Sequence, residues 1–344
     1  MDLRAVTCLC VALGLWVPSV QAANPKTSNG INQIEVVLTS PRHRFTTIFG
    51  ETFKRHAEEK GMKSRDYDAD DKMANQIAHV QKVAAENTAF VVRIVDDSKA
   101  GELIEAVKPT GAPIVFVNLP PKPIQQLNAY ENAWYVGSVS EESGEMQAEL
   151  VIEYLQDHPE YDLNGNGTLD ILMFTGPENH PDAIFRTQKI EEALKKSGIK
   201  YRIIDKCKAD WFFEPAFRYM KNIMEQGEYK NIEMIISNND EMAMGAIYAI
   251  EESQDYANES IDIIPVFGVD GLPDAINAIR RGSMVGSVRQ NYDMMARISL
   301  AIAMGNYDPQ TFIDMGCRYK KDRVIIVPYN HITKADLKPR KVNK

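Results

Sequence analysis

Two α/β lobes, each a Rossmann-like unit on a parallel sheet and joined by a hinge, are the fold this sequence predicts. Three observations point there. Short apolar runs alternate with amphipathic stretches of helical length along the chain, which reads as βαβ units with parallel strands. One strand–helix–strand pattern occurs twice: "FVVRIVDD" (90–97) leads through a helix to "GAPIVFVN" (111–118), and "EMIISNND" (233–240) leads through a helix to "DIIPVFGVD" (262–270). Each copy ends its strands on Asp or Asn, and open α/β sheets bind ligands beyond the carboxyl ends of their strands. At 344 residues and 44% hydrophobic content the chain is long enough for two ordinary cores.

Strands are expected at Ile34–Thr39, Phe90–Val95, Ile114–Val117, Ile171–Phe174, Tyr201–Ile204, Met234–Ser237, Ile263–Phe267 and Arg323–Val327, where β-branched and aromatic residues run between turn residues. Helices are expected over 44–60, 72–86, 98–109, 142–156, 181–197, 215–226, 240–252, 272–281 and 292–304. Asp240 is expected to cap "EMAMGAIYAI". No low-complexity segment or long linker interrupts the pattern.

The first 22 residues stand apart: a charged start, the apolar run "AVTCLCVALGLWVPSV", and a small-residue site before Ala23. The run is short for a membrane span and reads as an export signal cleaved after Ala22. A lipid anchor would need a Cys after the run, whereas Cys8 and Cys10 lie inside it. Cleavage removes Asp2 and Arg4, so the net charge stays at −9; an acidic chain with no basic stripe argues against nucleic acid as a partner. Cys207 and Cys317 then remain, and two distant cysteines read as two buried thiols before a bridge. H-E-x-x-H and C-x-x-C are both absent, which disfavours a transition-metal site.

"DLNGNGTLD" (162–170) matches the front of a calcium loop. Asp162, Asn164 and Asn166 supply hard oxygen ligands, Gly167 the tight turn, Thr168 a carbonyl and Asp170 a further side-chain oxygen. The bidentate Glu due at position twelve is Met173, inside a strand. The loop therefore needs a carboxylate from elsewhere, or it is only a polar turn.

The polar strand ends Asn118, Asn239, Asp240 and Asp270 are candidate ligand groups, although each type also caps helices and makes turns. "HPDAIFR" crowds His180, Asp182 and Arg186 round a helix start. Beyond a local ion pair, such a trio makes a hydrogen-bonding fork suited to vicinal hydroxyls. Trp211 and Phe45 follow strands in opposite lobes and could cover the two faces of a pyranose ring. No nucleophile elbow, P-loop or G-x-G-x-x-G occurs.

Taken with "PIVFVN", "YVGSVSEESG", "IEMIISNNDEMAMGA" and "IPVFGVDGLPDAI", these motifs make residues 32–330 resemble the type I periplasmic solute-binding proteins, in particular the galactose/glucose-binding branch. The resemblance implies lobes at 32–137 plus 293–326 and at 138–292 plus 327–344. It implies a non-enzymatic, monomeric protein of the periplasm that captures glucose or galactose, passes it to an ABC permease and in some members signals to a chemoreceptor. It implies sugar contacts from Phe45, Asn118, His180, Asp182, Arg186, Trp211, Asn239 and Asp270. It also implies Ca2+ in the 162–170 loop, with Glu233 closing the shell. Two positions depart from the family pattern: His43 stands for an Asp, and Gln290, followed by Asn291, for an Asn. Neutral His both donates and accepts, where a carboxylate only accepts. Epimer preference is therefore open, and Arg42 and Arg44 raise an acidic sugar as an alternative. A sensing module without transport and a sugar-modifying enzyme are the other readings.

Overall fold

The computed structural model describes residues 30–253 and 264–337 of the chain. The expected export signal at 1–22, with its cleavage after Ala22, lies outside the described residues, as do Ile263 and the tail beyond 337.

The chain builds two sheets. The strands, numbered along the chain, are β1 (Gln33–Leu38), β2 (Lys63–Asp68), β3 (Thr88–Val92), β4 (Ile114–Val117), β5 (Ala133–Gly137), β6 (Leu169–Thr175), β7 (Tyr201–Lys208), β8 (Met234–Ser237), β9 (Val266–Asp270), β10 (Gly286–Gln290), β11 (Arg318–Lys320), β12 (Val324–Ile326) and β13 (Tyr329–Thr333). The first sheet has the order β11-β12-β5-β4-β3-β1-β2 and the second β13-β10-β9-β8-β6-β7. Pairing is parallel except at one edge of each sheet, where β11 runs against β12 and β13 against β10. The sheets are thus mostly parallel, as the sequence predicts.

Central strands are apolar throughout because both faces are covered by helices. In β6 the period of two sends Leu172 and Phe174 to one core and Ile171 and Met173 to the other. The first sheet has its own core, around Phe53, Phe90, Phe116 and Ile325. Five strands escaped expectation: β2, β5, β10, β11 and β13. β2, "KSRDYD", is a polar edge strand, and edge strands carry charge to discourage further pairing. β10 ("GSVRQ"), β11 ("RYK") and β13 ("YNHIT") are largely polar and so give no apolar run, and β5 ("AWYVG") is not among the expected strands although apolar. β9 begins at Val266 and so sits later than the expected Ile263–Phe267, which puts Asp270 at its carboxyl end.

Three connections pass between the sheets, at 138–139, at 291 and at 327–328. The first and third run side by side: Ser138 Oγ donates to the Val327 carbonyl and Val327 N donates to the Gly137 carbonyl, each at 2.7 Å. At the second, Asn291 accepts from Met294 N and caps the helix Tyr292–Ala303, which packs on the first sheet. Among the described residues no helix is long and apolar enough to cross a membrane. Cys207 and Cys317 are free thiols, as the sequence suggested.

Candidate functional site

The carboxyl ends of the strands in both sheets face one cavity of about 220 Å³. Of the residues singled out as ligand candidates, His43, Phe45, Asn118, His180, Asp182, Arg186, Trp211, Asn239, Asp270 and Gln290 line it, and Asp240 does not. That volume lies below the roughly 300–1,000 Å³ of drug-sized pockets, so the occupant is small. The lobes touch around it. His43 stacks on Phe212 at 5.1 Å, Arg44 N donates to Glu241 at 3.2 Å, and Arg318 pairs with Glu142 at 2.7 Å.

Backbone strain gathers at the cavity. Eight described residues other than Gly have positive φ, and four of them, Asp71, Asn118, Trp211 and Asp270, line it. Asn tolerates this region, but Trp211 at +77° and Asp270 at +123° do so at a cost the surrounding structure must offset. Trp211 is wedged in place. A Cβ on Gly176 would lie 2.4 Å from its ring, so only Gly allows the indole to lie against this backbone. His180 meets the ring edge-on at 5.3 Å, and the Arg186 guanidinium lies 5.7 Å from its centroid.

The fork at the helix Pro181–Ser197 is built as its residue types imply. His180 Nδ1 accepts from Asp182 N at 3.2 Å, which leaves the Nε2 proton free to donate. Burial lowers the His180 pKa to about 4, so the ring is neutral at pH 7. Arg186 is buried, and its Nε donates to Ser143 Oγ at 3.0 Å while Nη1 donates to the Asn238 carbonyl at 2.6 Å. It lies 3.7 Å from both Asp182 and Asp270. The two carboxylates then diverge. Burial acts to raise Asp182, but Arg186, His180 and Ser140 outweigh it and hold it below the usual range. Burial raises Asp270 well above that range, with Asp240 and Asp182 adding to the shift against Arg186. Asp182 is thus an acceptor, and Asp270 is disposed to keep a proton.

The remaining candidates divide by how free they are. The Asn118 and Gln290 amides make no hydrogen bond among the described residues, so both are open to a ligand. Asn239 is half committed: its Oδ1 accepts from Met242 N at 3.0 Å and its Nδ2 donates to the Trp211 carbonyl at 3.2 Å. This corrects one expectation, because Asn239 and not Asp240 caps the helix Asp240–Glu251. Asp240 instead accepts from Ser287 Oγ and Leu272 N, and so fixes the turn after β9. His43 is held by Asp71 at 3.2 Å, and burial lowers its pKa. Arg42 is exposed and spent on Asp71 at 2.9 Å, while Arg44 is exposed at the cavity rim. Sequence reasoning missed Asp71, Arg93 and Glu241. Arg93 left a signal, a single cation in the apolar run "FVVRIV"; Asp71 left none, because the strand before it is polar.

The 162–170 loop lies apart from the cavity, with Glu233 brought to it across the sequence. Glu233 Oε1 accepts from Asn164 N at 3.0 Å and Oε2 from Asp170 N at 2.9 Å. Asp162 accepts from Asn166 N and Gly167 N, which closes the turn. Arg202 clamps Asp170 with two bonds of 2.9 and 2.8 Å. The donor types suit a hard cation. The geometry matches only in part, because among the described residues no three His, Cys, Asp or Glu side chains converge as they would round a metal.

Two lobes with parallel sheets, three connections between them and one polar-aromatic cavity where they meet define a type I periplasmic binding protein. Residues 34–307 match the family described as periplasmic binding protein domain, and the chain belongs to that family. It is 30% identical over 254 residues, 72% of this chain and 73% of the relative, to the D-galactose/methyl-galactoside binding periplasmic protein MglB of Haemophilus influenzae. It is 27% identical over 272 residues, 78% of this chain and 79% of the relative, to a putative rhizopine-binding protein of Rhizobium meliloti. Among solved structures, an ABC transporter solute-binding protein of Bacillus halodurans with bound myo-inositol superposes with a TM-score of 0.66 at 24% identity, covering 90% of this chain and 96% of that one. These relatives are binding proteins and not enzymes, which removes the sugar-modifying reading.

Proposed function

We propose that the cleft captures one monosaccharide of pyranose size, in the first place a hexose such as galactose or glucose, and that the protein delivers it to an ABC permease. The observation that carries this reading is the convergence of polar strand ends from both sheets, with Phe45 and Trp211, on one small cavity. Trp211 and Phe45 cover the ring faces. Anionic Asp182 accepts from ring hydroxyls, the His180 Nε2 proton donates, and the Asn118 and Gln290 amides do both. Ligand contacts made to both lobes at once favour the closed arrangement over an open one, so closure is a population shift about the connections at 138–139, 291 and 327–328. Relatives support the ligand class: the Haemophilus protein is named for galactose, and the Bacillus structure holds a cyclic polyol. A periplasmic location after removal of residues 1–22, and Ca2+ held by Asp162, Asn164, Asn166, Thr168, Asp170 and Glu233, belong to the same proposal. So do the lobe boundaries given above.

Calorimetric titration of the mature protein with glucose, galactose, galacturonate and ribose tests it. Saturable binding of at least one pyranose is expected; no binding of any of the four up to millimolar concentration defeats the reading.

A further inference from the structure

The cavity wall holds one half-buried cation with no carboxylate oxygen in ion-pair contact among the described residues. Four carboxylates line the cavity, and each is already engaged. Asp71 takes Arg42 at 2.9 Å and His43 at 3.2 Å. Glu241 accepts from Arg44 N at 3.2 Å. Asp182 and Asp270 share Arg186. Arg93, just past the end of β3, lines the same cavity but has no carboxylate oxygen within 4 Å among the described residues. Its Nη1 donates back to the Ile94 carbonyl at 2.6 Å, whereas its Nε is closed off from solvent and has no acceptor. That leaves Nη2, which makes no hydrogen bond among the described residues, as the guanidinium N–H group open to an acceptor in the cavity. Its charge is felt in the cleft, since it bears on His43, His180 and Asp182. A half-buried guanidinium without an ion-pair partner leaves charge for a ligand to engage, and an anionic acceptor at Nη2 gains a charge-assisted hydrogen bond on binding.

We propose that Arg93 is a specificity residue for a carboxylate on the sugar, so that the preferred ligand is a hexuronate rather than the parent hexose. This rests on the monosaccharide reading above. The Asp182–Arg186 fork and the Trp211 face hold the ring as they would for a hexose. The carboxylate at the ring's outer carbon turns toward β3 and accepts from Arg93 Nη2.

The test is calorimetry of the mature protein with galacturonate, glucuronate, galactose and glucose, repeated with R93M and R93K. At least one uronate is expected to bind about tenfold or more tightly than its parent hexose. In R93M that preference should fall below threefold, with hexose binding retained. R93K should keep part of it, because it restores the charge without the fork. Thermal melts confirm that each variant is folded; should R93M not fold, R93K and the wild-type ratio decide. Hexoses binding as tightly as uronates, or a uronate preference unmoved in R93M, overturn the inference and leave the monosaccharide site standing. Binding of none of the four overturns both.

Discussion

Replacing Trp211 by Ala removes the largest apolar surface of the cleft. One indole face covers about 70 Å² of a bound ring, which at about 25 cal/mol per Å² amounts to roughly 1.7 kcal/mol. Loss of the ring also frees the Arg186 guanidinium, now 5.7 Å from its centroid, and the His180 edge at 5.3 Å. Loosening that fork adds about 0.5–1 kcal/mol. The sum, about 2–3 kcal/mol, corresponds to roughly 30- to 150-fold weaker binding. Fold stability should change little, since Trp211 lies at the sheet's ligand end and Ala meets the same positive φ. Calorimetry is the assay, because the substitution deletes the fluorescent reporter. W211F, which keeps an aromatic face, should fall between the two. Binding of W211A within threefold of wild type would refute the assignment of this indole to the ligand.

Gly176→Ala should weaken sugar binding at least tenfold in a folded protein, because its Cβ would meet the Trp211 ring at 2.4 Å and displace it; calorimetry with a circular dichroism control checks this. His180 gives a pH signature. Its pKa falls from 6.5 to about 4 on folding, so the unfolded chain binds more protons between those values. Its contribution to stability is therefore present above pH 6.5 and is lost as pH falls toward 4, about 3 kcal/mol in all. In urea melts wild type should lose stability relative to H180N, which retains a capping acceptor but does not titrate, as the pH drops through that window. At the 162–170 loop, Arg202 and a calcium ion are alternatives for Asp170. R202M should enlarge the rise in melting temperature produced by calcium, toward the roughly 2.7 kcal/mol expected at a hundredfold excess over Kd. If neither protein gains bound metal or melting temperature with calcium, the loop is a hydrogen-bonded turn. Glu233→Ala should destabilise even without metal, by about 2–4 kcal/mol, since Asn164 N and Asp170 N both lose their acceptor.

Much of this was legible in the sequence, for a physical reason. Buried parallel strands must be apolar on both faces, so β1, β4, β6 and β8 stood out as runs. Ligand groups must sit just past those runs, so Asn118, Asn239 and Asp270 could be read by position alone. The invisible parts obey weaker local rules. β2 is an edge strand whose polar side chains hide it, and Asp71, which orients His43, follows it into obscurity. β10 ("GSVRQ") gives no apolar run, so Gln290 was found through family likeness and not through its strand. Arg93 interrupts an apolar run, yet only the fold shows that it lies past the strand end, with no ion-pair partner among the described residues. The Asn239 cap was misplaced by one residue because Asn and Asp cap equally well; the turn after β9, which claims Asp240, is distant in sequence.

The central claim is that a monosaccharide enters this cleft and lies against Trp211. W134F tests it directly, because it leaves Trp211 as the single tryptophan of the chain that follows residue 22. The site predicts a saturable change in Trp211 emission that tracks calorimetric binding of the same sugar. Binding by calorimetry with unchanged emission, or no binding of any pyranose tried, would contradict it.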